Sequence, residues 1–218
     1  MPNHSDLDIR TFQCNALQEN TFVVSNNEGH ALIIDCGATT PTEREAIRQY
    51  ISEKALTPVA HVLTHAHFDH IFGAQFIFDT YGLKPRFHAA DTWLYTHAAE
   101  QWHILTGQQL QLDVPPAGPS LTDGSQLPLG QHVFSVIHTP GHTEGGVCLY
   151  CAEAGVLFTG DTLFRGSIGR TDLPGGSYPT LVQSLTSLFG YLPGEVVIYP
   201  GHGPTTDAAY ERKYNPFL

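Results

Sequence analysis

Residues 59–70 read V-A-H-V-L-T-H-A-H-F-D-H, an apolar run that ends in His65, His67, Asp69 and His70. The β-branched and aliphatic content of Val59–Thr64 predicts a strand. In extended backbone, residues two apart point the same way, so His65 and His67 can grip one ion together. Asp69 and His70 follow once the chain turns, and can face a second ion. Imidazole and carboxylate together suit zinc, iron or manganese. A His-rich surface turn with adventitious metal affinity is the competing reading, and the motif alone does not separate the two.

The rest of the chain repeats the same arrangement. His142 follows a predicted strand at His132–His138 through T-P-G, Asp161 follows Val156–Thr159 through Gly160, and His202 follows Glu195–Tyr199 through P-G. Glycine and proline permit the tight turns such ligands need. If those strand ends lie side by side, seven groups converge at one edge of a sandwich. Further strands are predicted at Asp8–Gln13, Thr21–Ser25, Ala31–Asp35 and Gly146–Tyr150. Helices are predicted at Thr42–Ala55, Gly73–Tyr81, Ala90–Thr106, Tyr178–Phe189 and Thr206–Tyr214. This order favours an α+β fold of two sheets packed face to face and covered by helices, over a regular doubly wound sheet. Gly107–Gly130, rich in Pro, Gly and Gln, reads as a long surface loop, either a lid or channel wall or a connector.

With 218 residues the chain is expected to form one domain, 1–218, around one sizeable core. It has no apolar run near the roughly 18–20 residues that span a bilayer. Its first ten residues do not pair a basic stretch with an apolar one, so the expected location is the cytoplasm. A net charge of −11 without a Lys/Arg stripe disfavours nucleic acid as a partner. The four cysteines, Cys14, Cys36, Cys148 and Cys151, are expected to be free. In the strand G-V-C-L-Y-C the C-x-x-C pair points to opposite faces, so packing is favoured over metal binding. Of the thirteen histidines, the eight outside the constellation (His4, His30, His61, His88, His97, His103, His132 and His138) read as core or surface residues.

The runs T-H-A-H-F-D-H (64–70), G-H-T (141–143), T-G-D-T (159–162) and P-G-H-G (200–203) resemble the metallo-β-lactamase superfamily, across nearly the whole chain. The resemblance implies a four-layer αββα sandwich with the site at the sheet edge. It implies two divalent ions, zinc first, with iron or manganese as alternatives. His65, His67 and His142 would hold one ion, Asp69, His70 and His202 the other, and Asp161 would bridge them. T-G-D-T-L-F-R-G-S-I-G-R-T-D-L-P-G-G (159–176) and E-R-K-Y-N-P-F-L (211–218) look most like the short, single-domain branch of the glyoxalase II-type hydrolases. That implies hydrolysis of a small-molecule thioester such as an acyl-glutathione. The long enzymes carry a further helical domain that helps bind glutathione, whereas this sequence ends soon after His202. Arg170 stands where they place a lysine, and Asp172 where they place a tyrosine. G-R-T-D (169–172) also resembles the persulfide dioxygenases, which use one iron. That oxidoreductase reading, and a non-catalytic metal-binding protein on the same fold, are the alternatives.

The expected chemistry is water activation, in which a bound metal lowers the pKa of water from about 15.7 towards ~7. Asp69 would both ligate and accept a proton. A thiol, with a pKa of about 8.5, departs without prior protonation, whereas an amide nitrogen needs an acid, and none is evident beyond the ligands. His138 reads as the end of its strand. Asp35 is either a carboxylate that orients a ligand histidine or a strand-end cap. Arg165 and Arg170 are candidates for a substrate carboxylate, with an internal Arg170–Asp172 brace as the alternative. Trp93, Tyr95 and Trp102 share a predicted helix and suit core or pocket lining.

Overall fold

The computed structural model describes residues 7–218; His4 and most of the N-terminal segment considered above lie outside them. β1 (Leu7–Cys14) and β2 (Glu19–Asn26) form a hairpin, and β3 (His30–Ile34) adds to it antiparallel. α1 (Pro41–Glu53) then crosses to β4 (Thr57–Val62), which runs parallel to β3. After α2 (Phe68–Ile71) and α3 (Ala74–Tyr81), β5 (Pro85–Arg86) completes a sheet in the order β1-β2-β3-β4-β5. α4 (Thr92–Thr96) and α5 (Ala98–Thr106) lead through coil to the antiparallel strands β6 (Gln126–Leu129), β7 (His132–His138), β8 (Val147–Cys151) and β9 (Val156–Gly160). The hairpin of β10 (Leu163–Phe164) and β11 (Ser167–Ile168) precedes α6 (Tyr178–Phe189), which returns the chain to β12 (Val197–Pro200), parallel to β9. β13 (Thr206–Asp207) and α7 (Ala208–Tyr214) close the second sheet, ordered β13-β12-β9-β8-β7-β6.

The period-two alternation of the strands builds the layers. Phe22, Val24, Leu32, Ile34 and Val62 of the first sheet meet Phe134, Val136, Leu149, Val156 and Phe158 of the second in one buried cluster. Val23, Ala31 and Ile33 face the other way, onto Ile47 and Ile51 of α1 and Ile77 of α3. Cys148, Leu157 and Ile198 face outward onto Leu181, Leu185 and Leu188 of α6. The result is the expected αββα sandwich. Cys148 lies in the outer cluster and Cys151 in the inner one, so the C-x-x-C pair is split between faces as anticipated, and all four cysteines are free and buried.

Strand direction places the site. β3 and β4 are parallel, so Asp35 and the 63–70 segment leave the first sheet at one edge. β9 and β12 are parallel, and β7 runs the same way because two antiparallel steps separate it from β9. The turns carrying His142, Asp161 and His202 therefore leave the second sheet together.

Three expectations need correction. The helix predicted over 90–106 breaks at His97 (φ −116°, ψ 30°), and two short helices on separate axes lay Leu94, Tyr95 and Ala98 on the same floor. Thr206 and Asp207 pair with β12 and do not open the last helix; Asp207 instead caps it, accepting from the Tyr210 N–H at 2.7 Å. The long 107–130 loop ends in β6, whose alternate residues Leu127 and Leu129 are buried. No helix among the described residues is long and apolar enough to cross a membrane.

Candidate metal centre

The side chains of His65, His67, Asp69, His70, His142, Asp161 and His202 gather at this edge. Their donor atoms form overlapping groups, His65/His67/His142, His65/His70/Asp161 and Asp69/His70/His202, each within 4.8 Å. Asp161 stands between the halves: Oδ1 is 3.3 Å from His70 Nε2, and Oδ2 is 3.5 Å from His142 Nε2 and 3.7 Å from His202 Nε2. Asp69 Oδ2 lies 3.2 Å from His202 Nε2.

The outer nitrogens are held by groups that orient the rings. His142 Nδ1 donates to the Arg170 carbonyl at 2.6 Å, and His202 Nδ1 to the Leu17 carbonyl at 2.9 Å. His70 Nδ1 donates to Asp35 Oδ2 at 2.9 Å. Asp35 also accepts the Thr64 N–H and hydroxyl, each at 2.7 Å. The Thr64 proton is thereby committed, so its oxygen accepts from His65 Nδ1 at 3.1 Å. Nε2 of all four rings is left facing the cluster, as metal-ligating imidazoles require.

His67 turns Nδ1 to the cluster, 2.9 Å from His142 Nε2. His65 Nε2 and Asp161 Oδ1 face inward and are buried without a hydrogen bond, an arrangement that costs free energy unless a cation completes it. Burial pushes His67 down to about 3 and His65 well below its ordinary value, so both are neutral at pH 7, the form in which imidazole can bind a metal. Burial opposes ionisation of Asp161 and Asp69, but His70 prevails and holds both below the carboxylate range. For His70 itself burial is outweighed by Asp161, Asp35 and Asp69, which raise it well above its usual value. The anionic field that retains a proton there would also retain a divalent cation. The donor set therefore fits a metal centre.

Two glycines are needed for close approach. Gly160 has φ +48°, and a Cβ there would collide with the Thr64 side chain; a Cβ on Gly201 would strike Asp161 Oδ1 and His70 Cε1.

Of the two readings of Asp35, a ligand-orienting carboxylate or a strand-end cap, its bond to His70 Nδ1 matches the first. Arg165 and Arg170 lie outside the cluster. The Arg170 guanidinium is paired in a fork with Asp172 at 2.7 and 2.8 Å, and Arg165 lies over the Tyr210 ring at 4.7 Å. Tyr95 is buried and donates to the Pro115 carbonyl, Trp102 packs edge-on against Phe68 at 5.4 Å, and Trp93 is exposed, stacked on His97.

Three supporting residues escaped the sequence reading. Asp91 is buried and accepts from Ala66 N–H at 3.0 Å, Thr143 hydroxyl at 2.9 Å and Gly145 N–H at 2.6 Å, tying the H-A-H turn to the G-H-T turn. Asn20 clasps the P-G-H-G turn, donating to Pro200 and Gly203 carbonyls at 3.0 and 2.9 Å. Glu19 is wholly buried, receiving Thr21 hydroxyl and Gly37 N–H. The run Q-E-N-T (18–21) ahead of an apolar strand was the available signal for two of them; Asp91 had none.

A sequence profile of the metallo-beta-lactamase superfamily matches residues 14–202. The hydroxyacylglutathione hydrolase GloC of Haemophilus influenzae is 33% identical over 97% of this chain and 98% of its own length. Among solved structures, the BLEG-1 B3 metallo-beta-lactamase superposes with a TM-score of 0.87 and 37% identity, over 97% of this chain and 99% of its own. TTHA1623, determined in a di-iron-bound form, superposes with a TM-score of 0.84 and 37% identity, over 96% of this chain and 100% of its own.

Proposed function

Given that this chain belongs to the metallo-β-lactamase superfamily and is a metal-dependent hydrolase, we propose that its substrate is a thioester, of the acyl-glutathione type. His65, His67 and His142 would hold one divalent ion and Asp69, His70 and His202 a second, with the Asp161 carboxylate between them shared by both. Zinc suits these donors, and so do iron and manganese. Bound there, such ions would supply Lewis acidity and would acidify water.

The protein's own groups decide the substrate class. Asp69, held ionised at the edge of the cluster, is a proton acceptor. The neighbouring carboxyl groups are sealed from a bound substrate: Asp35, Asp91 and Glu19 are wholly buried, Asp35 committed to Thr64 and His70, Asp91 to Ala66, Thr143 and Gly145, and Glu19 turned through one oxygen onto Thr21 and Gly37. That burial is the observation that carries the proposal. With no spare acid beside the ligands, a leaving group must depart as an anion; a thiolate does so readily and an amide nitrogen does not. Arg165 and Arg170 stand further along the 165–172 segment as outer contacts for an anionic carrier. Arg170 is exposed, and exchanging Asp172 for a substrate carboxylate costs it little.

The test compares kcat/KM for a lactoyl-glutathione thioester with that for a chromogenic β-lactam, using zinc- and iron-loaded protein and following oxygen uptake. The thioester is expected to be favoured by about a hundredfold or more, roughly 2.7 kcal/mol of barrier, without oxygen uptake. Equal or better turnover of the β-lactam would refute the thioesterase reading, and stoichiometric oxygen consumption would refute hydrolysis.

A further inference from the structure

A cavity of about 350 Å³ lies against the Asp69–His202 side of the centre, lined by Leu17, Phe72, Trp102, Leu110, Leu112 and Arg44 among others. Its volume falls in the range of small-molecule sites, about 300–1,000 Å³. One wall is the β1–β2 turn. In that turn the Leu17 carbonyl receives His202 Nδ1–H, and Asn15 Nδ2 donates to the Asp69 carbonyl at 3.1 Å. The chain that shapes the cavity therefore also fixes two groups of the centre. Leu110 and Leu112 come from the 107–130 segment, so this part of it serves as a channel wall.

The wall is mostly apolar; besides the uncharged Asn15, Thr39 and Gln111 it carries one cation in an unusual position. The chain has 10 basic and 21 acidic residues, so basic side chains readily find partners. Arg44 is flanked by Glu43 and Glu45, yet it pairs with neither. Glu43 is turned back onto Thr39, Thr40 and Asn15. Glu45 is paired with Arg48. Arg44 Nε donates to the Ala38 carbonyl at 3.2 Å, which positions the guanidinium, and no carboxylate among the described residues is in ion-pair contact with it. A half-buried, held and unpaired guanidinium on an apolar wall is complementary to a carboxylate on an apolar body.

We propose that this cavity is the subsite for one arm of the substrate, apolar along its length and ending in a carboxylate that Arg44 receives. Calling the ligand a substrate arm rests on the hydrolase reading above; the binding itself does not. Trp102 provides a direct readout. In metal-loaded protein carrying Trp93→Phe, octanoate is expected to produce a saturable change in Trp102 fluorescence and to bind about tenfold or more tighter than octanamide. Arg44→Gln should bring that ratio near one while leaving octanamide affinity within about twofold, and Arg44→Lys should keep part of the preference. A ratio near one in the parent protein, no saturable change, or a preference that survives Arg44→Gln would overturn the proposal; the last result would place the carboxylate on the metals instead. As a kinetic arm, KM for a thioester of octanedioic acid should rise in Arg44→Gln, with little change for the octanoyl thioester. Failure to hydrolyse either thioester would count against the thioesterase reading and leave the octanoate result to decide the subsite.

Discussion

His61 is wholly buried and Asp161 nearly so, and they respond oppositely to a change of protons or metal. Asp161 is held ionised among His70, His142 and His202 and has one oxygen without a hydrogen bond. As the proposed bridge it offsets charge on both ions, so Asp161→Ala should leave well under two metals per chain by elemental analysis. Full occupancy with normal turnover would remove it from the bridging role. His61 lies on β4, wholly buried, and burial, outweighing a backbone contact with Asp35, pushes it down to about 3. The unfolded chain takes up a proton there below about 6.5 and the folded one does not until about 3, so stability is intact above 6.5 and falls as pH drops through that window. In metal-free protein, moving from pH 7 to pH 5 should cost the parent about 2 kcal/mol more than His61→Leu, since each pH unit is worth roughly 1.4 kcal/mol. Parallel urea midpoints for the two proteins would show that His61 is protonated, or exposed, in the native state.

Elements matter here for what their ends hold. α1 starts with a capping box in which Glu43 N–H reaches Thr40 Oγ1 at 3.2 Å and Glu43 Oε2 accepts the Thr40 N–H at 2.8 Å. Glu43 Oε1 also accepts the Asn15 N–H at 2.7 Å, so the helix start braces the turn that carries the carbonyl partner of His202. Burial works against its ionisation, but backbone N–H groups of Thr40, Asn15 and Thr39 prevail and hold it below 4.5, so the cap acts fully at neutral pH and weakens on acidification through that value. Glu43→Ala should lower stability by about 1–2 kcal/mol and accelerate amide exchange at Asn15. Unchanged exchange at Asn15 would show that the turn holds itself. The box T-P-T-E (40–43) is readable from sequence, but its second use is not, because Asn15 is distant in the chain.

At the scale of the whole molecule, the two sheets are joined by a buried aromatic cluster. Phe158 is fully buried, edge-on to Phe22 at 5.0 Å and stacked on Tyr199 at 5.1 Å. It lies on β9, the strand that delivers Asp161. Phe158→Ala should cost about 3–5 kcal/mol in urea unfolding at unchanged m-value. A loss under about 1 kcal/mol would mean that the inter-sheet core is held elsewhere.

Local physics made much of this protein legible. Strand patterning, the turn glycines and prolines, and the spacing of His65, His67, Asp69 and His70 are properties of short stretches, and they predicted the sandwich and the seven groups brought together at its edge. The break at His97 and the pairing of Thr206–Asp207 were not legible, because packing against a common floor and a neighbouring strand outweighs helix periodicity there. Nor were the groups that orient the centre. Asp91 joins two turns through three hydrogen bonds, Asn20 clasps a turn some 180 residues away, and Arg44 is left unpaired because Glu43 and Glu45 turn elsewhere. Charge and chain neighbours would pair Arg44 with either glutamate; only the fold decides, because a side chain's partner depends on which backbone donors and cavities surround it once the sheets have closed.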